Sequence, residues 1–220
     1  FDIFGSRIFS GGALTAGGAM FGLAGLELLS TQKLQLVDAL SPLHAGLIIS
    51  AMALSAIPTS ILGGATLHRV GFLPLISGGF LLMAAGMALV VVSRGETLPL
   101  LVSALVLTGL GAGLAMSVSS TAIINAAPLH RTGMASGVEA VSYEFGTLIS
   151  IALTGTLVPL LMARELPPHL AELGTDALHH PSSHAAAASA YNAGYLSTIG
   201  GLACFALSLI HISEPTRPER

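Results

Sequence analysis

Tryptophan is absent from this sequence, and cysteine occurs once, at Cys204. An intrachain disulfide is therefore excluded, and no Cys/His spacing of the kind that holds zinc is present. Charge is also scarce: eight Lys or Arg and eleven Asp or Glu make 9% of the 220 residues, against roughly 25% in an ordinary soluble domain. The few basic residues form no stripe, which excludes a nucleic-acid surface. No ATP-binding motif and no nucleophile beside a base can be marked, so neither ATP-driven nor enzymatic chemistry has support, and no cofactor or metal is expected.

What the chain has in abundance is apolar length. It is 53% hydrophobic with a mean hydropathy of +0.83. Stretches of the roughly 20 residues needed to cross a bilayer can be marked at 8–31, 42–67, 72–92, 98–127, 134–161 and 188–209. The expected class is an all-α membrane protein of six transmembrane helices, with the lipid bilayer as its first partner. Strict apolar/polar alternation over about ten residues, the mark of a transmembrane barrel, is missing. The 26 glycines lie largely within the spans, as in "TGLGAGLAM" (Thr108 to Met116), and small residues let helix backbones approach closely.

Local signals sharpen the boundaries. Ser41 is placed to accept from the free amides at the start of the second helix, and Pro42 takes the first-turn position where its missing N–H is harmless. Pro58 should bend that helix, and Pro128 closes the fourth span. Short links, "LHRVG", "SRGETLP" and "APLHRTG", make sequential helices antiparallel neighbours. The exception is 162–187, a long polar loop with a candidate amphipathic helix at Pro168 to Leu173. His169, His179, His180 and His184 gather there, but no carboxylate or cysteine partner keeps ligand-like spacing, so a solvated loop is the expectation.

The sequence begins at Phe1 without methionine or a signal-peptide pattern, and reads as a piece of a longer chain. All eleven residues of "LSLIHISEPTR" (Leu207 to Arg217) match the conceptual translation of a common transposase sequencing adapter. Native sequence is therefore expected to stop near Ala206, with 207–220 a non-native tail. Basic residues of the short loops divide three against three, Arg7, Arg69 and Arg131 against Lys33, Arg94 and Arg164, so charge leaves the orientation open.

Acids within the spans are the chemical signal. Only Glu27, Glu139 and Glu144 lie there, and the second, third, fourth and sixth spans carry no charge of either sign. An ionised side chain at the bilayer centre costs roughly 2.5 to 3.5 kcal/mol on insertion scales, so such acids face a cavity, a partner or a protonation role. Burial without a cation favours the neutral acid, which is the property proton coupling needs. Five residues separate Glu139 from Glu144, placing them about 140° apart and about 7.5 Å along the axis, so they are not a close dyad. Glu144, near mid-span beside Gly137, Ala140 and Leu148, reads as a coupling site on a packed or cavity-facing stripe. Glu139 shares a face with Ser142, Tyr143 and Gly146, and reads either as a functional acid or as a first-turn acid favoured by the helix dipole. Glu27 has two readings as well, a third coupling acid or a side chain reaching the interface near Ser30 and Thr31. Ser117, Ser119, Ser120, Thr121 and Asn125 make the end of the fourth span polar, as pathway lining or as interhelical hydrogen bonding.

Three blocks carry a family resemblance: "LELLSTQKLQLVDALSPLHAGL" (Leu26 to Leu47), "GGATLHRVG" (Gly63 to Gly71) and "SSTAIINAAPLHRTGMASGVEAVSYEFGTLISIALTGTL" (Ser119 to Leu157). Together they resemble the C-terminal half of the 14-span drug:proton antiporters, the EmrB/QacA type of the major facilitator superfamily. The resemblance implies spans nine to fourteen, a cytoplasmic Phe1, a long loop outside the cytoplasm, a bacterial inner-membrane location and an N-terminal half missing from this chain. It implies protons and a small lipophilic or quaternary ammonium cation as the exchanged partners, with Glu139 and Glu144 where such exporters carry embedded acids. Gly64, His68, Arg69 and Gly71 match the family's cytoplasmic Gly-x-Leu-Ala-Asp-Arg-x-Gly motif, with His68 in place of the acid. Ala56 stands where some members place a carboxylate for divalent cations. Ser120, Thr121, Asn125 and Tyr143 are the candidate pathway residues. Alternatives are an exporter of an anionic or neutral metabolite on the same fold, and a non-transporting membrane subunit with structural glutamates.

Overall fold

The computed structural model describes residues 6–92, 97–165 and 184–213. Six long helices account for nearly all of them: α1 (Arg7–Gln32), α2 (Pro42–Val70), α3 (Phe72–Val92), α4 (Leu98–Ala126), α5 (Thr132–Glu165) and α6 (His184–Ser213). Five, α1 to α5, are long and apolar enough to cross a membrane. In lipid a spanning backbone must satisfy its own hydrogen bonds, and the helix does this within one segment. Of the expected loop 162–187, residues 162–165 continue α5 and 184–187 begin α6; the candidate helix at 168–173 and His169, His179 and His180 lie outside the described residues.

Helix ends follow the capping chemistry. Ser6 Oγ accepts from the Phe9 amide at 3.4 Å, and Ser41 Oγ accepts from the His44 amide at 3.4 Å, with Pro42 in the first turn. The expected end of α1 at Thr31 falls short: the helix continues through Gln32 into a π-helical turn, Lys33–Val37. There Lys33 and Leu34 are buried, and the Lys33 ammonium lies 3.4 Å from the Asp38 carboxylate. α2 likewise runs on to Val70, so His68 and Arg69 occupy its last turn, where positive charge meets the negative end of the helix dipole, rather than a loop. Gly71 alone links α2 to α3, at φ +91°, a conformation L side chains rarely adopt. α6 extends through Leu207 to Ser213, because the first residues of the adapter-like run are apolar and continue the helix.

Packing is built around α1 and α4. Half or more of each one's most apolar stretch is buried, 67% for α1 and 50% for α4, against 17% for α2 and 22% for α5. α4 packs chiefly on α2 and α3, α1 packs chiefly on α5 and α6, and the two central helices pack on each other. Exchanging the first three helices for the last three maps α4–α2 onto α1–α5 and α4–α3 onto α1–α6, and leaves α1–α4 unchanged. Three crossings reverse the chain's direction, so such a pair of triplets is an inverted repeat.

Glycine sets the close approaches. A Cβ on Gly109 would strike the Met52 carbonyl, one on Gly113 the Ala56 carbonyl, and one on Gly146 the backbone of Gly17. Helices in lipid gain no hydrophobic drive from meeting each other, so van der Waals contact across such seams holds the bundle. Outside the seams, α2 exposes Leu47, Leu54, Ile57 and Ile61, and α5 exposes Val141, Phe145, Leu148 and Ile151.

Candidate functional site

The two α5 glutamates occupy different environments. Glu139 is 9% exposed and accepts a hydrogen bond from the Tyr143 hydroxyl at 2.8 Å. The i, i+4 spacing puts the pair one above the other on one helix face. Ser119 of α4 lies beside the same hydroxyl, and Tyr143 and Val138 pack against Phe9, Ala16, Ile123 and Ala135. Glu139 thus sits where α1, α4 and α5 meet. Glu144, five residues on, is exposed, and Gly137, Ala140 and Leu148 are exposed with it. A Cβ added to Gly137 meets nothing within 4 Å. The stripe around Glu144 is therefore open, with no helix of the described residues across it. Among the described residues, neither acid has a Lys or Arg within ion-pair distance.

The α4 polar residues are largely engaged with their own helix. Ser119 Oγ donates to the Met116 carbonyl and Thr121 Oγ1 to the Ser117 carbonyl, both at 2.9 Å. Ser120 is half-buried and Asn125 is exposed near the end of α4. The loop-motif residues divide by role: a Cβ on Gly64 would lie 3.5 Å from Ser117 Oγ, putting this glycine beside α4, whereas His68 and Arg69 are exposed and Gly71 makes the turn.

Glu27 stands apart from α5. It lines a cleft of about 420 Å³ between α1 and α2, together with Thr31, Gln35 and Ser50. A second, larger cavity of about 800 Å³ lies between α1 and α5 near Phe205, with Leu14, Val138, Val141 and Phe145 on its walls. Sequence reasoning found neither, since a cavity depends on which helices lie side by side. The Glu139–Tyr143 pair did have a signal, its four-residue spacing, but the cover provided by α1 and α4 did not.

The architecture is a six-helix bundle with paired triplets and carboxylates within its apolar helices. The sequence profile of the Major Facilitator Superfamily matches residues 7–166, and the chain belongs to that family, whose members are secondary transporters and not enzymes. Curated relatives include the multidrug resistance protein Stp of Mycobacterium tuberculosis, 30% identical over 150 residues, covering 68% of this chain and 28% of Stp. The methyl viologen resistance protein SmvA of Salmonella typhimurium is 32% identical over 159 residues, covering 71% of this chain and 32% of SmvA. Among solved structures, the transporter FucP in an outward conformation matches with a TM-score of 0.68 at 16% identity, over 96% of this chain and 51% of that one. An inward-facing bacterial homologue of the lysosomal transporter Spinster matches with a TM-score of 0.69 at 17% identity, over 96% of this chain and 50% of its own. The chain thus spans about a third of the length of these curated relatives and about half of these solved transporters.

Proposed function

We propose that this chain is the C-terminal half of a bacterial inner-membrane exporter that exchanges protons for lipophilic, including quaternary ammonium, cations. The observation that carries the reading is Glu144: a carboxylate within a spanning helix, on an open stripe, with no basic group within ion-pair distance among the described residues. Such a group is neutralised either by a proton or by a cation, and only one fits at a time. Mutually exclusive occupancy is what couples an inward proton to an outward cation. Glu139, bonded to Tyr143 at the α1–α4–α5 junction, assists by holding that part of α5 in place and by offering a second acid along the path. Ser120, Thr121 and Asn125 line the route on α4.

Alternating access then needs the two halves of the transporter to rock about a midplane site. The similar fit of this six-helix unit to an outward and an inward-facing transporter supports its moving as one body. The cationic cargo draws support from SmvA, named for resistance to methyl viologen, an organic cation. The decisive experiment is Glu144→Gln in the full-length transporter, reconstituted with a proton gradient. Proton-coupled efflux of a quaternary ammonium compound should be lost; efflux at the wild-type rate refutes the assignment.

A further inference from the structure

The α1–α2 cleft holds polar chemistry that the α5 acids do not use. Leu23, Glu27 and Thr31 recur every four positions on α1 and, with Gln35 of the π-helical turn, line one side of the cleft, facing Ile49, Ser50 and Met52 of α2 across about 420 Å³. The polar groups are mostly oxygen acceptors: one carboxylate, two hydroxyls and a carboxamide. Ser50 has already committed its proton, donating to the Leu47 carbonyl at 2.7 Å, so its remaining capacity is to accept. Lys33, at the start of the π-helical turn, is not among the residues that line the cleft, and its ammonium lies 3.4 Å from the Asp38 carboxylate. The rest of the wall is apolar and includes the polarisable thioether of Met52. At Gly46 an added Cβ would meet nothing within 4 Å, so the cleft is open on that side. Its volume falls in the range of about 300 to 1,000 Å³ that holds small organic ligands.

We propose that this cleft is a second cation site, separate from the α5 acids, which takes a monovalent lipophilic cation with its charge against Glu27 and its apolar body against Leu23, Ile49 and Met52. The choice of ligand rests on the cation-exchange reading above; the site itself rests on the cleft. One carboxylate balances one positive charge, which selects monocations over dications. On the orientation the family resemblance implies, the cleft lies toward the non-cytoplasmic end of α1, where an exported cation leaves.

The test uses Ser50→Cys in an otherwise cysteine-free full-length transporter, with Cys204 among the residues replaced. Its reaction rate is measured with a cationic methanethiosulfonate carrying a trimethylammonium group and with neutral methyl methanethiosulfonate, with and without tetraphenylphosphonium. Glu27→Gln should lower the cationic-to-neutral rate ratio about five- to tenfold, as expected for losing one charge a few ångströms away in a partly solvated cleft. Tetraphenylphosphonium should slow labelling with Glu27 present and fail to do so in Glu27→Gln. A ratio unmoved by Glu27→Gln, or labelling that tetraphenylphosphonium never slows, overturns the site. Glu144→Gln should leave both readouts at position 50 unchanged, so a failure of the α5 assignment and a failure of this one give different results.

Discussion

Glu139 and Glu144 are the same residue type on the same helix, yet one is covered and hydrogen-bonded and the other stands open. Five positions turn the helix by about 140°, enough to move a side chain from the α1–α4 contact to the uncovered face. The Tyr143 hydroxyl is the partner that the structure gives Glu139, so its removal leaves a buried carboxyl group short of a donor. Tyr143→Phe should destabilise the protein by about 1–2 kcal/mol, between the small values typical of hydrogen bonds in membranes and those of bonds to charged groups. Combined with Glu139→Ala in a double-mutant cycle, unfolding in detergent should show coupling of about 1 kcal/mol between the two; independent effects would disprove the pairing.

Among the helices, glycine has two opposite uses here. Gly109 and Gly113 face the carbonyls of Met52 and Ala56, so any side chain there forces α2 away from α4. Gly155 on α5 has nothing within 4 Å of an added Cβ. Gly109→Ala or Gly113→Ala should therefore cost about 1–3 kcal/mol by overpacking. Gly155→Ala should be neutral or stabilise by up to about 1 kcal/mol, because alanine is the better helix former. Thermal unfolding of the three variants checks this, and equal effects would mean that the α2–α4 seam is not tightly packed. From sequence, glycine content within the spans gave the principle of close packing, but Gly109 and Gly155 look alike on the page. Only the neighbour across the seam distinguishes them.

For the molecule as a whole, the uneven cover is the main fact. α1 and α4 are central, while α2 and α5 present long apolar faces with Glu144 set into one of them. On the proposed function, in which this chain is half of an exporter, these apolar faces are where the other half would pack. Cysteines placed at Leu54 and at Leu148 in the full-length transporter should cross-link to upstream helices. Efficient reaction of both with a lipid-dissolved probe, without cross-links, would show instead that these faces meet the bilayer.

The sequence by itself determined that the chain is all-helical, with six long helices among the described residues, five of them apolar enough over their length to cross a membrane and close their own backbone hydrogen bonds in lipid. It also singled out the three carboxylates, since charge within an apolar run is visible without knowing what lies beside it. Tertiary structure alone decided that Glu139 is covered, that Glu144 is open and that Glu27 lines a cleft, along with the buried continuation of α1 through Lys33 and Leu34. Burial is set by whichever helix crosses at that level, and Phe9, Ser119 and Ser50 are far in sequence from the acids whose surroundings they complete.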